Sequence, residues 1–220
     1  MKKILVLALL AFAGYKLHQN GYSLLSPSGA FDKKGNPLVV LFVGPGCAQT
    51  CDNVVAILDK RNVKFEQISV AGPDGAPVSN KYGITRFPTT LVGKQEILGD
   101  DTTRITSALA EAYGKDVLTR TEQMAMNNHF DDQGKPKVVM YGTSWCPYCK
   151  QQREFFANNK IAFDEFDVEA SKPNELAYNV LQGNGYPLTY VGYRRFAGFQ
   201  EGEILTAISE LAKTKVASVR

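Results

Sequence analysis

Trp145-Cys146-Pro147-Tyr148-Cys149-Lys150 follows the apolar run Val138-Val139-Met140-Tyr141 and leads into a segment with helical spacing. Two cysteines separated by two residues, where a strand hands over to a helix, form a redox dithiol signature. The first turn of a helix presents unpaired backbone N–H groups and the positive end of the helix dipole, so a thiolate on Cys146 is stabilised there as an attacking nucleophile. Pro147 suits the first helical position, where a missing N–H costs nothing and φ is already helical. Cys149 falls about one turn further on, within reach to resolve a mixed disulfide. The alternatives are a structural disulfide or half of a zinc site. Zinc pairs usually have their second cysteine pair about 15–20 residues away. Here the other pair, Cys47 and Cys51, lies far upstream, and only His18 and His129 offer imidazole.

The surroundings of this stretch occur twice. Phe130-Asp131-Asp132-Gln133-Gly134-Lys135-Pro136 leads into the dithiol strand, and Phe31-Asp32-Lys33-Lys34-Gly35-Asn36-Pro37 leads into Leu38-Val39-Val40-Leu41-Phe42-Val43. Phe31 and Phe130, Gly35 and Gly134, Pro37 and Pro136, and Cys47 and Cys146 all differ by 99 positions. The same offset relates Phe87-Pro88-Thr89-Thr90-Leu91-Val92-Gly93 to Tyr186-Pro187-Leu188-Thr189-Tyr190-Val191-Gly192, and Gly99 to Gly198. Each copy therefore has 41 positions from its first cysteine to its proline. The chain reads as two tandem α/β domains, each small but large enough to fold.

Each copy reads as strand, cysteine helix, strand, helix or loop, proline-led strand, short strand and final helix. In the first, Val54, Val55, Ile57 and Leu58 mark the cysteine helix, Gly72–Pro77 reads as a loop, and Asp100-Asp101-Thr102 caps a last helix bearing Ile105, Ala108, Leu109 and Ala112. In the second, Phe155 and Phe156 face the core, 161–168 supply the next strand, and Ile204, Leu205, Ile208 and Leu211 line the last helix. The expected boundaries are 30–113 for the first domain, a polar linker over 114–129, and 130–214 for the second. With 25 basic and 22 acidic side chains the net charge is +3, which asks for no nucleic acid; 44% apolar and 21% charged residues describe an ordinary globular core. Met1-Lys2-Lys3 and the apolar run Ile4–Gly14 give residues 1–21 the form of a signal peptide or an N-terminal membrane anchor. The expectation is a protein exported or anchored outside the cytoplasm, periplasmic if bacterial. Both Ala11-Phe12-Ala13 and Ser28-Gly29-Ala30 have the small-x-small form of a cleavage site.

Cys146-Pro147-Tyr148-Cys149 resembles the active site of the dithiol glutaredoxins, small members of the thioredoxin-fold superfamily, and Lys81-Tyr82-Gly83-Ile84-Thr85-Arg86-Phe87-Pro88-Thr89 resembles the thioredoxin segment that ends in its cis-proline. The resemblance implies two thioredoxin-like domains, each a central mixed β-sheet flanked by helices. It implies a thiol–disulfide oxidoreductase acting on protein or glutathione mixed disulfides, with no bound cofactor and with glutathione or a reductase as electron donor. Cys146 and Cys149 carry the exchange, and Pro88 and Pro187 face the sulfurs. Tyr148, Tyr186 and Gly198 border the substrate. The first copy departs from the pattern, because Gly46-Cys47-Ala48-Gln49-Thr50-Cys51 places three residues between its thiols. A disulfide there needs Cys47 before or at the first turn. Cys47 and Cys51 read as a second redox pair, with a copper(I) site or an inactive copy as competing readings. The copper sites of the superfamily add a histidine that this copy lacks. The second copy is mixed too: Thr143 stands where glutaredoxins carry a lysine for glutathione, Trp145 is more like thioredoxin, and Phe196–Gln200 resembles glutaredoxin-like redoxins recycled by thioredoxin reductase.

Overall fold

The computed structural model describes residues 25–26, 29–72 and 75–217. The chain divides into two compact units between Ile105 and Thr106. In the first, the hairpin β1 (Leu25–Ser26) and β2 (Gly29–Ala30) is followed by β3 (Val39–Val43), α1 (Ala48–Lys60), β4 (Glu66–Ser69), α2 (Gly75–Lys81), β5 (Thr89–Val92), β6 (Gln95–Leu98) and α3 (Thr102–Tyr113), within which the division falls. In the second come α4 (Arg120–Met126), β7 (Val138–Gly142), α5 (Pro147–Asn158), β8 (Asp164–Asp167), α6 (Lys172–Val180), β9 (Leu188–Val191), β10 (Arg194–Ala197) and α7 (Glu201–Ala217). The expected leader at 1–21 lies outside the described residues, and among those residues no helix is long and apolar enough to cross a membrane.

Both units build the same mixed four-stranded sheet, in the orders β4-β3-β5-β6 and β8-β7-β9-β10. The cysteine strand runs parallel to the next strand and antiparallel to the proline-led one, which pairs antiparallel with the edge. A central strand with both faces covered must be apolar throughout. In β7 the two-residue period sends Val139 and Tyr141 to one face, where Tyr178, Leu181, Leu188 and Tyr190 complete the core. Met140 points to the other, with Phe155, Phe156 and Ile204. In β3, Val40 and Phe42 pack with Ile68, Val78 and Leu91. Leu205 departs from the expected stripe of the last helix and is exposed.

The repeat is visible in the backbone. The bridges Phe31–Pro37 and Phe130–Pro136 are equivalent, and the bonds before Pro88 and Pro187 are both cis. The offset is not constant, however. It is 99 from β3 to β7 but 98 from β4 (Glu66) to β8 (Asp164), and 98 again from Asn62 to Lys160, the left-handed residues that end the cysteine helices. The extra residue of the first unit thus lies between its cysteines, and the segment after β4 restores 99 by Gly83 and Gln182, both at positive φ. That segment is not all loop, because Gly75–Lys81 forms α2.

The expected linker at 114–129 is folded. Thr119 Oγ1 accepts the Glu122 N–H and Glu122 Oε2 accepts the Thr119 N–H, a capping box that contributes about 1 kcal/mol to α4. Leu118, Ala125 and Met126 then join the core of the second unit. A segment polar in composition becomes structural because its few apolar residues share one face. It ends in a 3₁₀ turn at Asn127–His129, which buries His129 completely between Tyr141 and Tyr190, ring centroids 5.8 and 4.4 Å away. His129 Nε2 is 3.1 Å from the Tyr141 hydroxyl, while Nδ1 has no partner in hydrogen-bonding geometry among the described residues. His129 is therefore a core histidine.

Candidate active site

In the second unit the end of β7 delivers the chain to α5 through Thr143–Trp145. Cys146 is the N-cap of α5, extended at φ −70° and ψ 119°, and Pro147 occupies the first turn. The sulfur of Cys146 accepts the backbone N–H of Cys149 at 3.1 Å, the place an N-cap oxygen usually takes. Both cysteines are free thiols, with Cys149 fully buried and Cys146 nearly so. The Cys149 sulfur lies against the backbone of Gly142, where a Cβ would sit 3.0 Å from it. Burial pushes the Cys149 thiol up to about 12, and its contact with Cys146 adds to this; the Thr143 backbone N–H and the Arg153 charge pull the other way.

Tyr186 packs against the cluster that contains both cysteines, and cis-Pro187 follows it. The Tyr186 ring meets Trp145 edge-on at 6.2 Å and Tyr178 at 5.1 Å. The Tyr178 hydroxyl donates to the Gly185 carbonyl at 3.0 Å and accepts the Gly185 N–H at 2.8 Å, fixing the approach to the cis bond. Gly198 donates its N–H to the Pro187 carbonyl at 2.8 Å, has φ +80°, and opens on free space. Tyr148 and Trp145 are exposed, 58% and 64%, and Trp145 Nε1 donates to Glu169 at 2.9 Å. These two large aromatic rings are left in water on either side of Cys146 in the chain.

Sequence reasoning missed the group beneath the sulfurs. Arg153 grips both Glu165 oxygens through Nε at 3.0 Å, reaches Oε1 again through Nη2 at 2.6 Å, and donates from Nη2 to the Thr143 carbonyl at 3.0 Å. Its position four residues after Cys149 on one helix was the signal that would have placed it beside that thiol.

In the first unit Cys47 is the N-cap of α1 but its backbone is already helical, φ −93° and ψ −4°, and its carbonyl accepts the Cys51 N–H at 2.7 Å. That places the two Cα atoms 5.4 Å apart, and the sulfurs are joined in a disulfide. In this form neither is a thiolate ligand, and among the described residues no group of three or more His, Cys, Asp or Glu side chains is arranged to hold a metal. Phe87, before cis-Pro88, covers Gly44, where a Cβ would meet its ring at 2.3 Å. The equivalent Thr143 has room for a side chain because the Tyr186 ring turns instead toward Trp145 and Tyr178. Gly44→Ala is accordingly expected to displace Phe87 and destabilise the protein by about 1–3 kcal/mol, read as a lowered denaturant midpoint.

Residues 138–190 match the glutaredoxin family model. No curated protein matches the chain. Among solved structures, a glutaredoxin from Archaeoglobus fulgidus is 24% identical over 34% of this chain and 89% of its own, with a TM-score of 0.30. A glutaredoxin from Methanosarcina mazei is 27% identical over 35% and 93%, with a TM-score of 0.29. A buckwheat glutaredoxin–glutathione complex is 13% identical over 43% and 97%, with a TM-score of 0.34. The match over 138–190 makes this stretch of the second unit, which holds the dithiol at a helix N-terminus and cis-Pro187, similar to the glutaredoxins.

Proposed function

We propose that the protein is a thiol–disulfide oxidoreductase whose second unit exchanges disulfides of protein substrates or of glutathione. The observation that carries this reading is the sulfur of Cys146 seated as N-cap of α5, accepting the Cys149 N–H, in one cluster with the residue before cis-Pro187. Cys146 attacks one sulfur of the substrate disulfide, the far sulfur leaves as a thiolate, and a mixed disulfide remains. Cys149 then attacks Cys146, which releases the second substrate sulfur and leaves Cys146–Cys149 oxidised. Glutathione or a reductase returns the pair to the dithiol. Backbone groups beside Pro187 pair with an extended substrate segment, Gly198 leaves room for it, and Trp145, Tyr148 and Tyr186 supply apolar contact.

The first unit supplies a second redox pair, Cys47–Cys51, beside cis-Pro88. The cationic, apolar leader directs the protein out of the cytoplasm or holds it at the membrane. The test is substrate trapping. Cys149→Ala leaves the attacking thiol and removes the resolving one, so mixed disulfides are expected to accumulate on Cys146 in cells and to disappear on reduction. Recovery of no captured thiol, with the variant folded, overturns the reading. The captured species report the substrate class and the compartment.

A further inference from the structure

The two units share their cysteines, cis-prolines and sheet, yet differ in the layer beneath the thiols. With the offset of 98 that relates Cys51 to Cys149 and β4 to β8, Arg153 corresponds to Val55 and Glu165 to Gln67; at 99, Thr143 corresponds to Gly44. Of these equivalent positions, only those of the second unit place a guanidinium in this layer, held through Nε and Nη2 by the Glu165 carboxylate and through the same Nη2 by the carbonyl of Thr143, whose N–H faces Cys149.

We propose that Arg153 is a positioning residue for the second half of the exchange: locked by Glu165 and Thr143, its fixed positive charge lets the buried Cys149 give up its proton and attack the Cys146–substrate disulfide. The inference rests on the exchange reading above. In the step itself Cys149 loses a proton, its sulfur electron pair forms the bond to Cys146, and the bond from Cys146 to the substrate sulfur breaks. The substrate sulfur departs with that electron pair and takes up a proton. Over the cycle two protein thiols are oxidised as one substrate disulfide becomes two thiols. The obstacle is the environment of Cys149, because a sulfur with no exposure and a backbone glycine against it is poorly solvated as an anion. The charged and titratable groups facing it are Cys146 and Arg153 from α5, Glu165 of β8 through Arg153, Tyr178 of α6, and Tyr186. Both tyrosines are held above ordinary phenol values by burial and stay neutral near pH 7. Arg153 is thus the cation in this set, and Glu165 tempers it.

The test separates the two half-reactions in the full chain, with Cys47→Ser and Cys51→Ser in every arm to silence the other thiols. Mixing the reduced protein with the aromatic disulfide 5,5′-dithiobis(2-nitrobenzoate) releases one nitrothiobenzoate when Cys146 attacks and a second when Cys149 resolves. Arg153→Gln is expected to slow the second release about tenfold at neutral pH, clearly more than it slows the first, and to move the pH–rate curve of the second upward. Arg153→Lys is expected to recover part of the loss. Glu165→Gln, which keeps an oxygen for Arg153 but removes the opposing charge, is expected to accelerate the second release, a change of sign that a packing role does not produce. A second release in Arg153→Gln equal to the parent's at every pH, or equal slowing in Arg153→Gln and Glu165→Gln, overturns the inference while leaving the exchange reading intact. Absence of the first release in the parent defeats that reading itself.

Discussion

Cys146→Ser is expected to abolish turnover of mixed disulfides, by at least about a thousandfold, while the protein unfolds at nearly the same denaturant concentration as the parent. A serine hydroxyl at this N-cap accepts the Cys149 N–H as well as the sulfur does, so the helix keeps its start. What disappears is the nucleophile, because an unactivated hydroxyl does not attack a disulfide at neutral pH. The measurement is reduction of a glutathione–peptide mixed disulfide with glutathione and its reductase in excess, beside equilibrium unfolding. Turnover retained at more than a few per cent would move the chemistry away from Cys146. The complementary Cys149→Ala variant separates attack from resolution, since it still forms the mixed disulfide but passes it on only to an external thiol.

The second large effect is on stability and its dependence on pH. His129 is fully buried, and its imidazole is pushed down from 6.5 to about 3, mainly by burial, with the charge of Lys137 adding to it and the Gly192 backbone opposing it. A folded-state value below the unfolded one means that protons bind the unfolded chain first. The contribution is complete above about pH 6.5 and declines as pH falls, at about 1.4 kcal/mol per pH unit, until about pH 3. Over the whole window this amounts to roughly 5 kcal/mol, comparable to the total stability of a small domain. Denaturant unfolding from pH 7 to pH 4 is expected to show this slope in the second unit. In His129→Leu the slope should flatten, at the cost of an unpartnered Tyr141 hydroxyl worth about 1–3 kcal/mol at all pH values. An unchanged slope would assign the acid sensitivity to other groups. The first unit has Ala30 at the equivalent place and lacks this liability.

Much of the fold was legible because it repeats. The paired Phe–Gly–Pro turns, the apolar strands and the matched prolines have local signatures, and each unit forms the sheet they imply. The linker was misread because composition spoke louder than pattern. Thr119-Arg120-Thr121-Glu122 is a capping-box sequence, but the apolar residues it serves, Leu118, Ala125 and Met126, are too few to raise the average hydropathy of the segment. Of the site, the cysteines and prolines were visible as motifs. Arg153, Glu165 and Tyr178 were not, because each takes its meaning from a partner outside its own helix or strand: the Thr143 carbonyl, the guanidinium, and the Gly185 peptide. An arginine on a helix reads as solvated surface until the strand beside it is known to carry the carboxylate.

The one-residue difference between the thiol spacings stays local. α1 gains its extra residue at its start, runs from Ala48 to Lys60 against Pro147 to Asn158 for α5, and still sets Val54 and Leu58 where the other helix sets Gln152 and Phe156. By the proline-led strands the two halves are in step again. The reactive corner is therefore mechanically insulated from the frame that supports it. A duplicated gene with this architecture is free to alter the reach between its sulfurs in one half without re-registering a single strand, and so to let twin scaffolds drift toward different chemical temperaments.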